Sequence, residues 1–220
     1  MSISNLFSQL FAADSLQFWW YLTRAAGLAG YFLLWLSTAW GMVVSSKILD
    51  SVVERAFTYD FHEYLSLLGL GFIFVHIIVL MLDKYLPYTI WQVIIPFLSP
   101  YRPIWVGIGV IAFYISLIVT VTYYLRSRIG MSTFRMIHYA SLVGYLGATL
   151  HGLYAGTDSV LPLVNLAYKG TFLVTLFLVI YWIVMLWMRK QEEEKKRREE
   201  LRVARRNKGK RQTAQHRSIA

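Results

Sequence analysis

The sequence predicts an all-α integral membrane protein, a bundle of about five transmembrane helices. Hydrophobic residues make up 57% of the 220 positions and charged residues only 15%, well below the charged share of an ordinary soluble domain. Five apolar stretches are each long enough to cross about 30 Å of hydrocarbon, which needs about 20 helical residues. Five such stretches in succession exclude a soluble globule and indicate one domain embedded in lipid.

The apolar stretches occupy most of the chain before its basic end. They are Phe18 to Val44, Phe61 to Leu82, Ile104 to Leu125, Phe134 to Tyr154 and Val164 to Met188. Between the second and third, four prolines interrupt an aromatic segment, which is therefore expected at the membrane interface rather than as one straight span. The chain accordingly divides into an N-terminal interfacial segment (1–17), a membrane domain (18–188) and a basic tail (189–220).

The net charge of +10 is concentrated in the tail. Between Arg189 and Ala220 there are 13 Lys or Arg and 5 Glu, which leaves +8 of the total in this segment. A charged, helix-prone segment directly after an apolar stretch is typical of a cytoplasmic juxtamembrane tail. The tail has no aromatic residue that could stack on bases, which argues against nucleic acid as a partner.

Lys and Arg in the loops predict the orientation of the chain. Cationic residues concentrate in the first loop, the third loop and the tail, with loop members Lys47, Arg55, Arg126, Arg128 and Arg135. The second loop has Lys84 and Arg102, the fourth only Lys169, and no cation precedes Arg24. By the positive-inside rule the N-terminus lies outside a cell membrane and the tail in the cytoplasm, so the second and fourth spans run in the same direction.

The residues available for chemistry are few. The chain has no cysteine, which excludes disulfides, iron–sulfur clusters and a thiolate nucleophile, so any metal must be held by histidine or carboxylate. Four of the five histidines lie inside apolar stretches, whereas His216 lies in the solvated tail and is expected to be functionally neutral. Ionisable groups within a membrane are costly and usually face the bundle interior, where they bind something or pair.

The four intramembrane histidines fall at two depths. His62 and His76 are 14 residues apart, about 21 Å of rise and nearly four turns, so both imidazoles leave one face of the second helix. His138 and His151 are 13 residues apart, about 19.5 Å. His62 then lies opposite His138, and His76 opposite His151. Because neutral imidazole is a usual axial ligand of heme iron, the pattern predicts two hemes between the second and fourth helices.

One feature does not fit two heme sites stacked along regular helices, and one alternative function stays open. An ideal helix leaves His138 and His151 about 140° apart in azimuth. Gly144 and Gly147 are expected to absorb this by bending or by close approach of a flat macrocycle. The alternative is a heme-free transporter or scaffold in which each histidine is satisfied separately by a carbonyl or hydroxyl. A single metal ion shared by both depths is excluded, because ligands about 20 Å apart cannot bind it together.

Both histidine pairs also carry a resemblance to a known family. The segments FHEYLSLLGLGFIFVHIIVLMLD and FRMIHYASLVGYLGATLHGLYAGTDS resemble the ferric reductase-like transmembrane domain of membrane ferric reductases, NADPH oxidases and the heme-bearing membrane subunit of bacterial methionine sulfoxide reductase systems. The resemblance covers roughly residues 18 to 188. It implies an inner heme b on His62 and His138 and an outer heme b on His76 and His151.

A fifth residue joins the candidate site through the same resemblance. TRAAG in the first stretch looks like the family's arginine beside the outer heme, which implies that Arg24 binds a heme propionate. An arginine about two turns inside the membrane needs an anionic partner or must snorkel to the interface. The chain departs from the family in two ways: it has five stretches where six are usual, and no flavin or nicotinamide fingerprint follows the last.

The function implied by the resemblance is transmembrane electron transfer from a cytoplasmic-side donor to an acceptor on the outer side. As an oxidoreductase component without its own flavin or NADPH domain, the chain would need a separate flavoprotein, another donor or quinol. A ferric chelate, oxygen or an extracytoplasmic oxidoreductase could be the acceptor. A quinone-linked cytochrome b anchor subunit of a larger complex is the alternative within redox chemistry. Whether the chain is an enzyme by itself stays open.

Overall fold

The computed structural model describes residues 15–46, 54–83 and 86–217, which are helical and contain no strand. The α-helices of these ranges are α1 (Ser15–Ser46), α2 (Arg55–Leu82), α3 (Ile90–Ile94), α4 (Pro103–Tyr124), α5 (Arg126–Ile129), α6 (Met131–His138), α7 (Ala140–Tyr154) and α8 (Pro162–Arg217). A short 3-10 helix, Thr157–Val160, precedes α8. The predicted all-α fold class is confirmed for these ranges.

Helices α1, α2, α4 and α8 are each long and apolar enough to cross a membrane. Their candidate spans are Phe18–Ser46, Phe57–Leu82, Pro103–Tyr124 and Pro162–Arg202, which contain four of the five predicted stretches almost entirely. Large apolar side chains such as Ile78 and Ile118 are more than half exposed on these helices. Such exposure is costly in water and ordinary in lipid, so the helices support a membrane-embedded protein.

The remaining predicted stretch, Phe134 to Tyr154, is divided between two helices. α6 has 8 residues and α7 has 15, so neither alone reaches the about 20 residues of a span. They meet at Tyr139, whose backbone stays in the right-handed helical region and whose C=O accepts the N–H of Leu142 in a tighter i→i+3 bond. This interruption of the α-helix lies directly after His138.

The two glycines of this stretch have a different role from the one expected. α7 runs unbroken through Gly144 and Gly147. A Cβ at Gly144 would lie 3.2 Å from Ile115, and one at Gly147 would lie 3.1 Å from Ala112, both residues of α4. The expectation that these glycines face a macrocycle is therefore wrong, because their open sides are filled by α4.

Antiparallel helix pairs form the frame of the site. On α1 and α2, a Cβ at Gly30 would meet Ile73 at 3.0 Å, and one at Gly69 would meet Leu33 at 3.2 Å. Residue numbers therefore rise on one helix as they fall on the other. The contacts of Gly144 and Gly147 show the same antiparallel order for α7 and α4. Small residues at these crossings let helix backbones approach closely, as is common where helices associate in lipid.

A buried tyrosine cluster fills the space between these pairs. Tyr31, Tyr145 and Tyr168 form its centre, and Tyr145 is fully buried. The Tyr31 hydroxyl lies 2.6 Å from the Thr171 hydroxyl, and the rings of Tyr31 and Tyr168 are 4.5 Å apart between centres. Tyr145 lies 7 residues after His138 and 6 before His151, so its α7 position is intermediate in depth between the histidines of the fourth stretch.

The remaining segments are the proline-rich stretch between α2 and α4, the C-terminal part of α8 and the N-terminus. From residue 86 to residue 102 the structure has one helix, the five-residue α3, which confirms that the proline-rich segment is not one straight span. The chain divides into two compact units, Met1–Leu176 and Phe177–Ala220, with the boundary inside α8. Residues 1–14 of the predicted interfacial segment (1–17) lie outside the described residues. Lys47 and Lys84, which were used to predict the orientation of the chain, also lie outside them.

Candidate functional site

The structure brings the four intramembrane histidines together in two pairs. In the first pair, the ring centres of His62 and His138 are 5.9 Å apart and the ring planes meet at 75°. In the second pair, the ring centres of His76 and His151 are 6.5 Å apart and the planes meet at 77°. The partners are those predicted from depth along the helices.

These separations fit a metal ion held between two imidazoles. With metal–nitrogen bonds of about 2.0 Å and each ring nitrogen about 1.1 Å from its ring centre, the ring centres of a bis-imidazole ion lie about 6.2 Å apart. The separations of 5.9 and 6.5 Å bracket that value. The distance between the rings of each pair is therefore close to the one that an ion between two imidazoles requires.

The second pair is oriented by main-chain carbonyls. Nδ1 of His76 lies 2.8 Å from the Thr23 oxygen of α1, and Nδ1 of His151 lies 3.0 Å from the Trp105 oxygen of α4. A carbonyl oxygen only accepts, so each Nδ1 carries the proton and donates. The lone pair of each ring is then on Nε2, the nitrogen that a metal would bind. Such second contacts fix both the tautomer and the ring direction of a ligand.

Hydroxyl groups orient His62 of the first pair. The Ser66 hydroxyl donates to the His62 main-chain oxygen at 2.8 Å, so its single hydrogen is used there. The Ser37 hydroxyl, 2.7 Å from the Ser66 oxygen, must then donate to it. This leaves the Ser37 oxygen to accept from Nδ1 of His62 at 3.3 Å, which again places the lone pair on Nε2. Nδ1 of His138 is buried and has no hydrogen-bond partner among the described residues.

Three histidines each face a glycine on the neighbouring helix. A Cβ at Gly27 would lie 2.9 Å from His76 Nδ1, one at Gly41 would lie 3.0 Å from His62 Cε1, and one at Gly109 would lie 2.5 Å from His151 Nδ1. A side chain at Gly27 or Gly109 would occupy the space of an imidazole, and one at Gly41 would require the His62 ring to shift slightly. The glycines are therefore steric requirements of the site, even though they offer no ligand atom.

The same three glycines share a second feature. Each follows, by four residues, the residue that accepts the Nδ1 hydrogen: Thr23 before Gly27, Ser37 before Gly41 and Trp105 before Gly109. One helical turn thus supplies both the acceptor and the room for the ring. The sequence carried a signal that was missed, because Gly27 and Gly41 are 14 residues apart, the spacing of the two α2 histidines they face.

A cavity of about 840 Å³ adjoins the second pair. It is lined by residues of α1, α2, α4 and α7 and includes His76, His151, Phe113 and Ala148. Ligand sites are typically about 300–1,000 Å³ and mostly apolar with a few polar groups, so this space has the size and lining of a ligand site. Its polar groups include Arg24, Gln92 and Asp158.

Arg24 lies at this cavity and already has an anionic partner in the chain. Its Nε donates to Asp158 Oδ2 at 2.7 Å, and a second guanidinium nitrogen contacts Asp158 Oδ1, so the pair is bidentate. The Arg24 guanidinium also lies over the rings of Trp20 and Tyr21. Sequence reasoning missed Asp158, although it is an acidic residue of the fourth loop at the predicted depth of Arg24. The arginine therefore needs no propionate to be satisfied within the membrane, although it borders the space where one would lie.

The fold is that of an all-α, membrane-embedded protein, and it contains two pairs of facing, half-buried histidines at different depths. Among the described residues, no group of three His, Cys, Asp or Glu could hold a metal ion, so each pair can supply only two axial ligands. No family model, curated protein or solved structure matches this chain. The proposal that follows rests on geometry and on the resemblance of the histidine motifs.

Proposed function

We propose that the chain conducts electrons across the membrane through two b-type hemes, one between the histidines of each pair. The observation that carries the proposal is the pairing itself, two facing imidazole pairs separated along α2 by about 21 Å of helical rise. When bound, each heme supplies an iron that takes up and releases one electron at a time. Everything else in the site holds, orients and insulates these groups.

The residues around the histidines position the imidazole rings. Thr23 and Trp105 carbonyls and the Ser37 hydroxyl hold the Nδ1 atoms of three imidazoles, which leaves the lone pair of each ring on Nε2. The facing glycines let α1 and α4 approach the rings without a clash. Two histidine nitrogens would hold each heme iron, so the proposed sites would leave no open position for chemistry on the metal. This favours electron transfer over catalysis at either iron.

The proposed topology has five crossings, with α6 and α7 together forming the fourth. The first histidine pair then lies toward the cytoplasm and the second toward the outer side, with the tail in the cytoplasm. Electrons enter from a separate flavoprotein, another donor or quinol, because the tail is a single charged helix up to Arg217. They leave from the second pair to an acceptor on the outer side. Arg24 and Asp158 would border that heme, with Arg24 placed to contact a propionate.

Vesicles with a trapped acceptor test transfer across the membrane. The purified, heme-loaded protein is reconstituted into quinone-free vesicles that contain ferricyanide, and dithionite is added outside together with an ionophore for charge balance. We expect the trapped ferricyanide to be reduced much faster than in protein-free vesicles, because the two hemes together cross the hydrocarbon. Both orientations of the inserted protein conduct, so no sorting of orientation is needed.

The controls separate this function from its alternatives. Vesicles with His76→Ala should keep donor-driven reduction of the remaining heme and lose reduction of the trapped acceptor. Transfer that occurs only after a quinone is added to the lipid would favour the cytochrome b anchor function instead. Reduction of ferricyanide at the protein-free rate, by heme-loaded wild-type protein, would contradict the proposal.

A further inference from the structure

The two histidine pairs differ in what accepts their Nδ1 hydrogens. Both histidines of the second pair donate to main-chain carbonyls, at 2.8 and 3.0 Å. In the first pair, His62 donates to the Ser37 hydroxyl at the longer distance of 3.3 Å and has a further contact with the Ser37 main chain, and His138 has no partner among the described residues. Amide carbonyl oxygens are stronger acceptors than hydroxyl oxygens, and a short bond is stronger than a long one.

This difference changes the electronic character of the ligands. A hydrogen bond from Nδ1 to a strong acceptor raises the basicity of the ring, so Nε2 donates more charge to a bound metal. Additional donated charge stabilises ferric iron more than ferrous iron, because the ferric ion carries the larger positive charge. The second pair therefore favours the oxidised state of its iron relative to the first pair.

Resting on the proposed function, we propose that Ser37 is a tuning residue in an asymmetric conduit, in which the His62/His138 site holds an electron more tightly than the His76/His151 site. We expect the electron to occupy the first site at least about tenfold more often than the second. For a one-electron couple, this ratio corresponds to a difference in reduction potential of about 59 mV. In the singly reduced protein the electron then resides at the cytoplasmic-side pair. It moves outward when an acceptor removes the small population at the second pair.

Nearby charges do not reverse this order. Arg24, at the cavity of the second pair, would favour the reduced state there if it were alone, but Asp158 pairs with it through two contacts. Near the first pair, the Glu63 carboxylate accepts from the Tyr123 and Tyr124 hydroxyls, at 3.0 and 2.6 Å, and its charge is opposed by Arg126. The charges of Arg24 and Glu63 thus each face an opposite charge, and paired charges have much weaker fields than isolated ones.

Potentiometry of the purified heme-loaded protein tests the order. The α-band of the wild type should titrate in two one-electron waves separated by at least about 59 mV. His76→Ala, which removes a ligand of the second pair, should retain the higher wave. Ser37→Ala should raise that wave further, by at least about threefold in its equilibrium constant, because His62 loses the hydroxyl acceptor and keeps only its contact with the Ser37 main chain.

Thr38→Ala is the matched control. Its hydroxyl donates to the Leu34 oxygen within α1 at 2.8 Å, so removing it changes the same helix by one hydroxyl without touching His62. Both titration waves should keep their wild-type midpoint potentials. The inference is overturned if His76→Ala retains the lower wave, if the two waves coincide, or if Ser37→Ala moves the higher wave no more than Thr38→Ala does. Wild-type protein without any heme band would overturn the proposed function and this inference with it.

Discussion

In purified His76→Ala protein we expect about half of the wild-type heme, all of it at the first pair. The rings of the two pairs are on separate helical turns about 21 Å apart along α2, and distant sites without shared partners lose stability nearly independently. His62 and His138 therefore keep their heme, which remains reducible by a donor. Heme content is measured by the pyridine hemochrome assay per mole of protein, together with the low-spin spectrum.

Ile78→Ala is the control for this variant. Ile78 lies two residues further along α2, and its side chain is 55% exposed on the lipid-facing side of the helix. The control removes apolar volume from the same turn and should retain both hemes. Equal depletion of both hemes by His76→Ala in folded protein would contradict the two-site assignment, as would full retention of two.

The second large effect is expected from a single methyl group at Gly109. A Cβ there would lie 2.5 Å from His151 Nδ1 and 2.7 Å from its Cγ, distances that real Cβ atoms essentially never show. Either the imidazole leaves its position or α4 moves away from α7, and both changes break the bond from His151 to the Trp105 oxygen. We expect Gly109→Ala to lose the heme of the second pair while retaining that of the first.

Gly71→Ala provides the matched comparison, because nothing lies within 4 Å of its Cβ position. Replacing glycine by alanine inside a helix favours the helix by up to about 1 kcal/mol when space permits. The control should therefore keep both hemes and show equal or higher thermal stability. Gly41→Ala should be milder than Gly109→Ala, since its Cβ would approach His62 only to 3.0 Å. Retention of both hemes in Gly109→Ala would show that the close approach has no bearing on the site.

The features predictable from sequence were those set by regular helix geometry. Apolar length located the long helices, because each must satisfy its own backbone in lipid. The 14-residue spacing of His62 and His76 predicted one face and two depths, because helical rise and rotation are nearly constant. The structure places His138 of α6 opposite His62, and His151 of α7 opposite His76.

Irregular and long-range features could not be predicted in the same way. The change of helix at Tyr139 lacks a proline or glycine signal and comes from a single tightened hydrogen bond. The Arg24 and Asp158 pair joins residues 134 positions apart, and only the folded loop brings them together. The roles of Gly27, Gly41 and Gly109 depend on which residue faces each one across a helix crossing, and one sequence does not contain that register.

Heme stoichiometry of the pure, detergent-solubilised wild-type protein tests the central claim most directly. From heme-replete cells we predict close to two hemes b per chain, a low-spin bis-histidine spectrum and no change on addition of carbon monoxide, because protein nitrogens fill both axial positions at each iron. A stoichiometry near one would leave only one of the two pairs as a heme site. Folded, membrane-inserted protein without heme would contradict the account.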